Sequence, residues 1–181
     1  FTVTMGALIG LPPSLTEIYR SDVKNVYQAN GVPLSLGLFL TNISAFVHLL
    51  IMSFILYVIA PVAFDAKIPA HPAAYFVGLI TLIAVSLSIA SVIGLAVKDT
   101  ANTSMFSILL FLPSTMLSGI MFPSDMLPKA FVMVGKLFPA TWGYAFMTES
   151  NFAWHNLWPL LIIFIAAALI CAILLKKIET R

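Results

Sequence analysis

Long apolar runs separated by short polar punctuation dominate the chain, and their lengths predict its elements. A helix needs roughly 20 apolar residues to cross a hydrocarbon core about 30 Å thick. Four stretches meet that length, 34–60, 72–97, 104–122 and 157–175, each bounded by charge, proline or both. A fifth, 1–11, is too short to cross and opens on Phe1 rather than methionine, which reads as the end of a truncated helix that begins before this sequence. A signal peptide is disfavoured, because nothing basic precedes the run and no small-residue cleavage site follows it.

Two connections carry patterns of their own. Between Pro12 and Pro33, Ile18, Val23, Val26 and Tyr27 are interleaved with Glu17, Arg20, Asp22, Lys24 and Asn25. That spacing predicts a short amphipathic helix at the membrane surface, able to meet lipid headgroups or a partner, with a solvated linker as the plainer alternative. From Met121 to Asn156 the chain is apolar but broken by Pro123, Pro128, Pro139 and Gly143 into pieces of about ten residues, too short to span. The expectation is a re-entrant helical hairpin in the outer leaflet over 123–150, its joint at Pro139 covered by protein or facing a polar cavity. Trp142, Tyr144, Trp154 and Trp158 suit the interfacial belt. Lys129, Lys136 and the prolines oppose a further full span.

Composition settles the solvent. The 181 residues are 61% hydrophobic and 9% charged, with a mean hydropathy of +1.05, whereas a soluble domain is about 25% charged. The fold class expected is therefore all-α, a polytopic transmembrane bundle in a single domain. Cytoplasmic loops are enriched in Lys and Arg. Placing 12–33 inside puts Arg20, Lys24, Lys98, Lys176, Lys177 and Arg181 on that side, six of nine basic residues, and makes the C-terminus cytoplasmic. Lys67, Lys129 and Lys136 fall outside.

The search for chemistry is short. No G-x-x-x-x-G-K-[ST] phosphate loop occurs, so ATP has no usual cradle here. His48, His71 and His155 lie on separate segments and Cys171 stands alone, which gives neither a metal cluster nor an intramolecular disulfide. Ser86, Ser88 and Ser91 lack a nearby histidine base. No catalytic, cofactor or metal residue is assigned. Ser86, Ala90 and Gly94, and likewise Thr115 and Gly119, recur every four residues; such small-residue faces let helices approach in lipid, within one chain or across a dimer seam. Asn42 and His48 are intramembrane polar groups that either line a substrate path or tie helices together. No Asp, Glu, Lys or Arg lies deep in a full span, which disfavours an ion-coupled transporter and favours one driven by an external ATPase.

The run SGIMFPSDMLPKAFVMVGKLFPATWGYAFM, Ser118 to Met147, resembles the signature region of the permease subunits of type-2 ABC exporters. A small-residue helix end is followed there by G-x-x-F-P, L-P and a later proline ahead of an aromatic piece; Gly119, Phe122, Pro123, Leu127, Pro128, Pro139 and Tyr144 occupy those places. The resemblance implies a six-helix permease in the bacterial plasma membrane. Its path would pass amphipathic, drug-like, lipid-like or peptide cargo. A cytoplasmic ABC ATPase carrying ATP and magnesium, a second permease copy and membrane lipids would be its partners, and nucleic acid would not. It further implies an outer gate at Phe122, Pro123, Pro128, Pro139 and Tyr144, and ATPase coupling through 12–33 with Glu17, Arg20, Asp22 and Lys24 as candidates. The family's R-E-x-G-T stretch is missing from LTEIYRSDVKNVY, which leaves those contacts open. The alternative from another class is a non-transporting membrane scaffold or sensor subunit.

Overall fold

The computed structural model describes residues 1–20, 22–65, 69, 71–149 and 154–179, and every regular element among them is helical. In chain order these are α1 Thr2–Met5, a π-turn Gly6–Gly10, α2 Leu11–Arg20, α3 Asp22–Ala29, α4 Leu34–Phe64, α5 Pro72–Ala96, α6 Thr100–Met116, a 3-10 turn Ser124–Met126, α7 Lys129–Gly135, α8 Pro139–Thr148 and α9 Trp154–Glu179.

Three helices are long and apolar enough to cross a membrane: α4, α5 and Trp154–Ile178 of α9. Proline starts two of them in its least costly place. Pro33, in extended conformation, caps α4, and Pro72 occupies the first turn of α5, where its missing N–H has no intrahelical partner to lose. Asp65, left-handed at φ 50°, ends α4 by turning its N–H onto Ala60 O. Asp99 starts α6 by accepting the Asn102 N–H on Oδ2 at 3.1 Å.

The fourth expected span, 104–122, takes a different form. Its helix starts at Thr100 and stops at Met116, and its 17 residues rise about 25 Å, at the short end of the lengths that cross a membrane. Pro113 removes a backbone donor from the last turn, Thr115 Oγ1 bonds back to Phe111 O at 3.0 Å, and Gly119 reverses the chain at φ 86°.

The N-terminal segment also differs from the expected pattern. No break separates a stump at 1–11 from a surface helix at 12–33: α1, the π-turn and α2 follow one another in helical conformation through Pro12 and Pro13. Both prolines lack an N–H to donate, and the π-turn that precedes them is where the helical hydrogen-bond pattern changes to let the chain continue. The apolar face of α2 is also not on lipid. Leu11, Leu15, Thr16 and Tyr19 are buried against α5 and α6.

α5 is the hub, packed by α2, α4, α8 and α9. Half of its most apolar window is buried inside the protein, against 11% for α4 and 22% for α9, although all three are similarly hydropathic. Small residues explain the difference. A Cβ on Gly94 would lie 2.7 Å from Leu15 Cβ and 2.9 Å from Pro12 O, so the expected Ser86, Ala90, Gly94 stripe is an intramolecular seam that admits the α2 backbone. α4 runs antiparallel to α5, joined by Asn42–Ser91 near one end and by Tyr57 against Tyr75 and Phe76 near the other, with ring centroids 5.4 and 5.1 Å apart. Its outward Phe39, Ile43, Val47, Ile51 and Phe54 are left exposed.

Replacement Gly94→Val in the full-length protein is expected to cost about 1–3 kcal/mol by overpacking this seam. Gly10→Ala, whose Cβ meets no atom within 4 Å, is expected to cost nothing. Thermal unfolding in detergent measures both, and equal stability of the two variants would contradict the seam.

Candidate functional site

At the basic end of the bundle, α2 is fastened on three sides. Thr16 Oγ1 lies 3.0 Å from Gly94 O on α5, 2.9 Å from Thr103 Oγ1 on α6 and 3.1 Å from Pro12 O in its own helix. Its single proton cannot donate to all of them at once. The buried Tyr19 hydroxyl donates to Leu34 O at 2.8 Å and so ties α2 to the start of α4. Of the four candidate coupling residues, Glu17 is exposed beside this buried row. The side chains of Arg20, Asp22 and Lys24 lie outside the described residues, although their backbone is in α2 and α3. Thr16 and Tyr19 escaped the sequence reading because a threonine and a tyrosine in an amphipathic stretch look the same whether protein or lipid covers them.

The hairpin region holds two short helices, as the proline spacing predicts. α7 and α8 have 7 and 10 residues and join through Lys136, Leu137 and Phe138. The joint is self-capped: Thr141 Oγ1 donates to Gly135 O at 2.6 Å, and Trp142 Nε1 donates to Lys136 O at 2.7 Å. Trp142 therefore spends its N–H on the joint between α7 and α8, while the rings of Trp154 and Trp158 are exposed. Glycines seat the pair. Gly135 lies so close to α6 that a Cβ would stand 2.5 Å from Leu117 O, Gly143 of α8 meets Leu82 of α5, and Gly78 of α5 meets the buried Phe146 of α8. Gly119 lies under the ring of Tyr144.

The five candidate gate residues are thus divided. Pro139 is buried at the first turn of α8, whereas Phe122, Pro123, Pro128 and Tyr144 are exposed. Beyond the hairpin, Glu149 Oε2 accepts from the buried Asn156 Nδ2 at 2.6 Å and stands 4.0 Å from His155 Nε2, a link from α8 to α9 that no sequence motif announces.

The two intramembrane candidates also part company. Asn42 Nδ2 donates to Leu38 O at 2.9 Å and its Oδ1 accepts from Ser91 Oγ at 3.0 Å, so Asn42 ties α4 to α5. His48 instead lines a cavity of about 840 Å³ between α4 and the α1, π-turn and α2 run. Among the described residues no group of three or more His, Cys, Asp or Glu is placed to hold a metal.

Gly135→Ala is expected to unseat the hairpin at a cost of about 1–3 kcal/mol, and Thr141→Val to cost about 1 kcal/mol through the lost cap. Amide hydrogen exchange over 129–148 in the full-length protein should rise in both and stay unchanged in Pro128→Ala. Unchanged exchange in Gly135→Ala would overturn the seating.

The family model of the ABC-2 type transporters matches residues 1–152, a stretch that takes in the α2 seam, the cavity and the hairpin. No curated protein and no solved structure matches the chain. With this match over most of its length, and with helices able to cross a membrane, the chain belongs to the ABC-2 type transporter family and is an integral membrane permease subunit of an ABC transporter.

Proposed function

We propose that the chain forms the translocation path of an ATP-driven exporter for amphipathic, drug-like, lipid-like or peptide cargo, working with a cytoplasmic ABC ATPase and a second permease copy. It sits in a bacterial plasma membrane with its C-terminus and 12–33 on the cytoplasmic side. The observation that carries the reading is the three-sided fastening of α2 to α5, α6 and α4. A displacement applied near the exposed Glu17 passes into those helices, because the Gly94 seam leaves no slack. The sequence carries no phosphate loop, so ATP and magnesium belong to the partner.

Export then needs a site whose affinity for cargo differs between the states that the ATPase drives. The hairpin is the outer gate in this scheme. Its seat on α5 and α6 is rigid, while its outward face, with Phe122, Phe131, Met133 and Leu137 exposed, is apolar and meets cargo or lipid. Glu17, Arg20, Asp22 and Lys24 are the charged positions available to the ATPase.

The test is purification of the full-length protein with its ATPase, followed by reconstitution in lipid vesicles. Flux of a fluorescent amphiphile is expected to require ATP, and Glu17→Arg to reduce both ATPase copurification and flux by about tenfold, equivalent to about 1.4 kcal/mol. Flux without any ATPase would refute the proposal. ATPase binding with no flux of any amphiphile would favour the scaffold or sensor alternative.

A further inference from the structure

The cavity between α4 and the α1 to α2 run is built differently from the seams around α5. It is an open groove, with Met5, Leu40 and Met52 exposed along it, and its volume of about 840 Å³ is enough for a drug-sized ligand. One wall is the π-turn, a helix distortion that is frequent at functional sites. The two glycines that bound this turn behave oppositely. A Cβ on Gly6 would strike Leu49 Cδ2 at 2.6 Å, so Gly6 brings the walls together, whereas a Cβ on Gly10 meets nothing within 4 Å and would point into open space.

The lining is graded in polarity. With Gly6 against Leu49 and the chains antiparallel, Ser14 lies across from Thr41 towards the basic end, and Thr2 across from Met52 towards the other. Ser14, Thr41, Ser44 and His48 supply hydroxyls and an imidazole over the first half, among the apolar Leu11, Leu40 and Ala45. Met5, Leu49 and Met52 supply an adaptable apolar surface over the second, where Thr2 is the one hydroxyl among the described lining residues. The Thr41 proton is committed to Gly37 O at 2.8 Å, which leaves Thr41 as an acceptor; Ser44 and His48 offer both donor and acceptor. None of the described lining residues is Lys, Arg, Asp or Glu. A charged headgroup would enter without a partner of opposite sign, at high cost at this depth.

From this geometry we infer a binding site for a neutral single-chain amphiphile, a monoacylglycerol-like lipid whose hydroxylated head meets Ser44 and His48 and whose acyl chain lies along Met5, Leu49 and Met52. The site is contained within one chain and needs no nucleotide. It goes beyond the export reading and is testable apart from it.

The probe is a monoacylglycerol with a diazirine in its acyl chain, added without ATP to the full-length protein in phosphatidylcholine vesicles, and adducts are located by mass spectrometry. Labelling is expected at Met5, Leu49 or Met52, competed by unlabelled monoacylglycerol but not by a lysophosphatidic acid of equal chain length. Gly10→Phe fills the open space and is expected to lower this labelling about tenfold, with labelling of the exposed face of α9 unchanged. Should Gly10→Phe fail to fold, Ser44→Leu is the second variant, with the same expected loss. Undiminished labelling in a folded variant would overturn the site, as would equal competition by the anionic lipid. A benzophenone amino acid at position 44 that crosslinks to another protein segment or a second copy, rather than to lipid, would overturn it too.

Discussion

The close approach of α2 to α5 at Gly94 is the contact on which the rest of the structure depends. In lipid no hydrophobic effect drives one helix onto another, so association relies on packing and interhelical hydrogen bonds. Gly94 provides the packing, with Leu15 and Pro12 where its side chain would be, and Thr16 provides the hydrogen bonds to α5 and α6. The same device recurs at the hairpin end, where Gly78, Gly143 and Gly135 each admit a neighbour that a larger residue would exclude. α5 thus holds a helix at each end, and hydropathy does not distinguish it from α4 or α9.

Rigid seams at both ends of α5 give the permease subunit a mechanical layout. α2 is fixed to α5 and α6 and leaves Glu17 exposed. The hairpin is capped on itself by Thr141 and Trp142 and keyed into α5 and α6 by glycine. Packing is released along α4. That helix is tied to α5 through Asn42 and Ser91, yet it stands off α1 and α2 far enough to leave a cavity. A fold held by glycine seams opens where a glycine faces nothing, and Gly10 is such a place.

Much of this was legible in the residues. Apolar length foretold α4, α5 and α9 because a bilayer fixes how long a crossing helix must be. Proline spacing foretold the two short helices of the hairpin, since proline removes donors and ends helices wherever it falls. The four-residue recurrence of Ser86, Ala90 and Gly94 marked a packing face but left its partner open.

Tertiary structure decided questions that local pattern does not contain. An amphipathic stretch such as 11–20 reads identically whether lipid or protein covers its apolar face, and only the fold shows Leu15, Thr16 and Tyr19 enclosed by α5 and α6. Pro12 and Pro13 look like a break until the preceding π-turn places them in the first turn of a continuing helix. Asn42 and His48 share one helix and the same polar character, and what separates them is what stands opposite: Ser91 faces the first, a cavity the second. The sequence by itself determined the solvent, the helical class and where crossings are possible, because those depend on transfer energies summed along the chain. Which face meets which, and so which polar residue is structural and which is free to bind, depends on distances between segments far apart in sequence, and only the folded arrangement sets them.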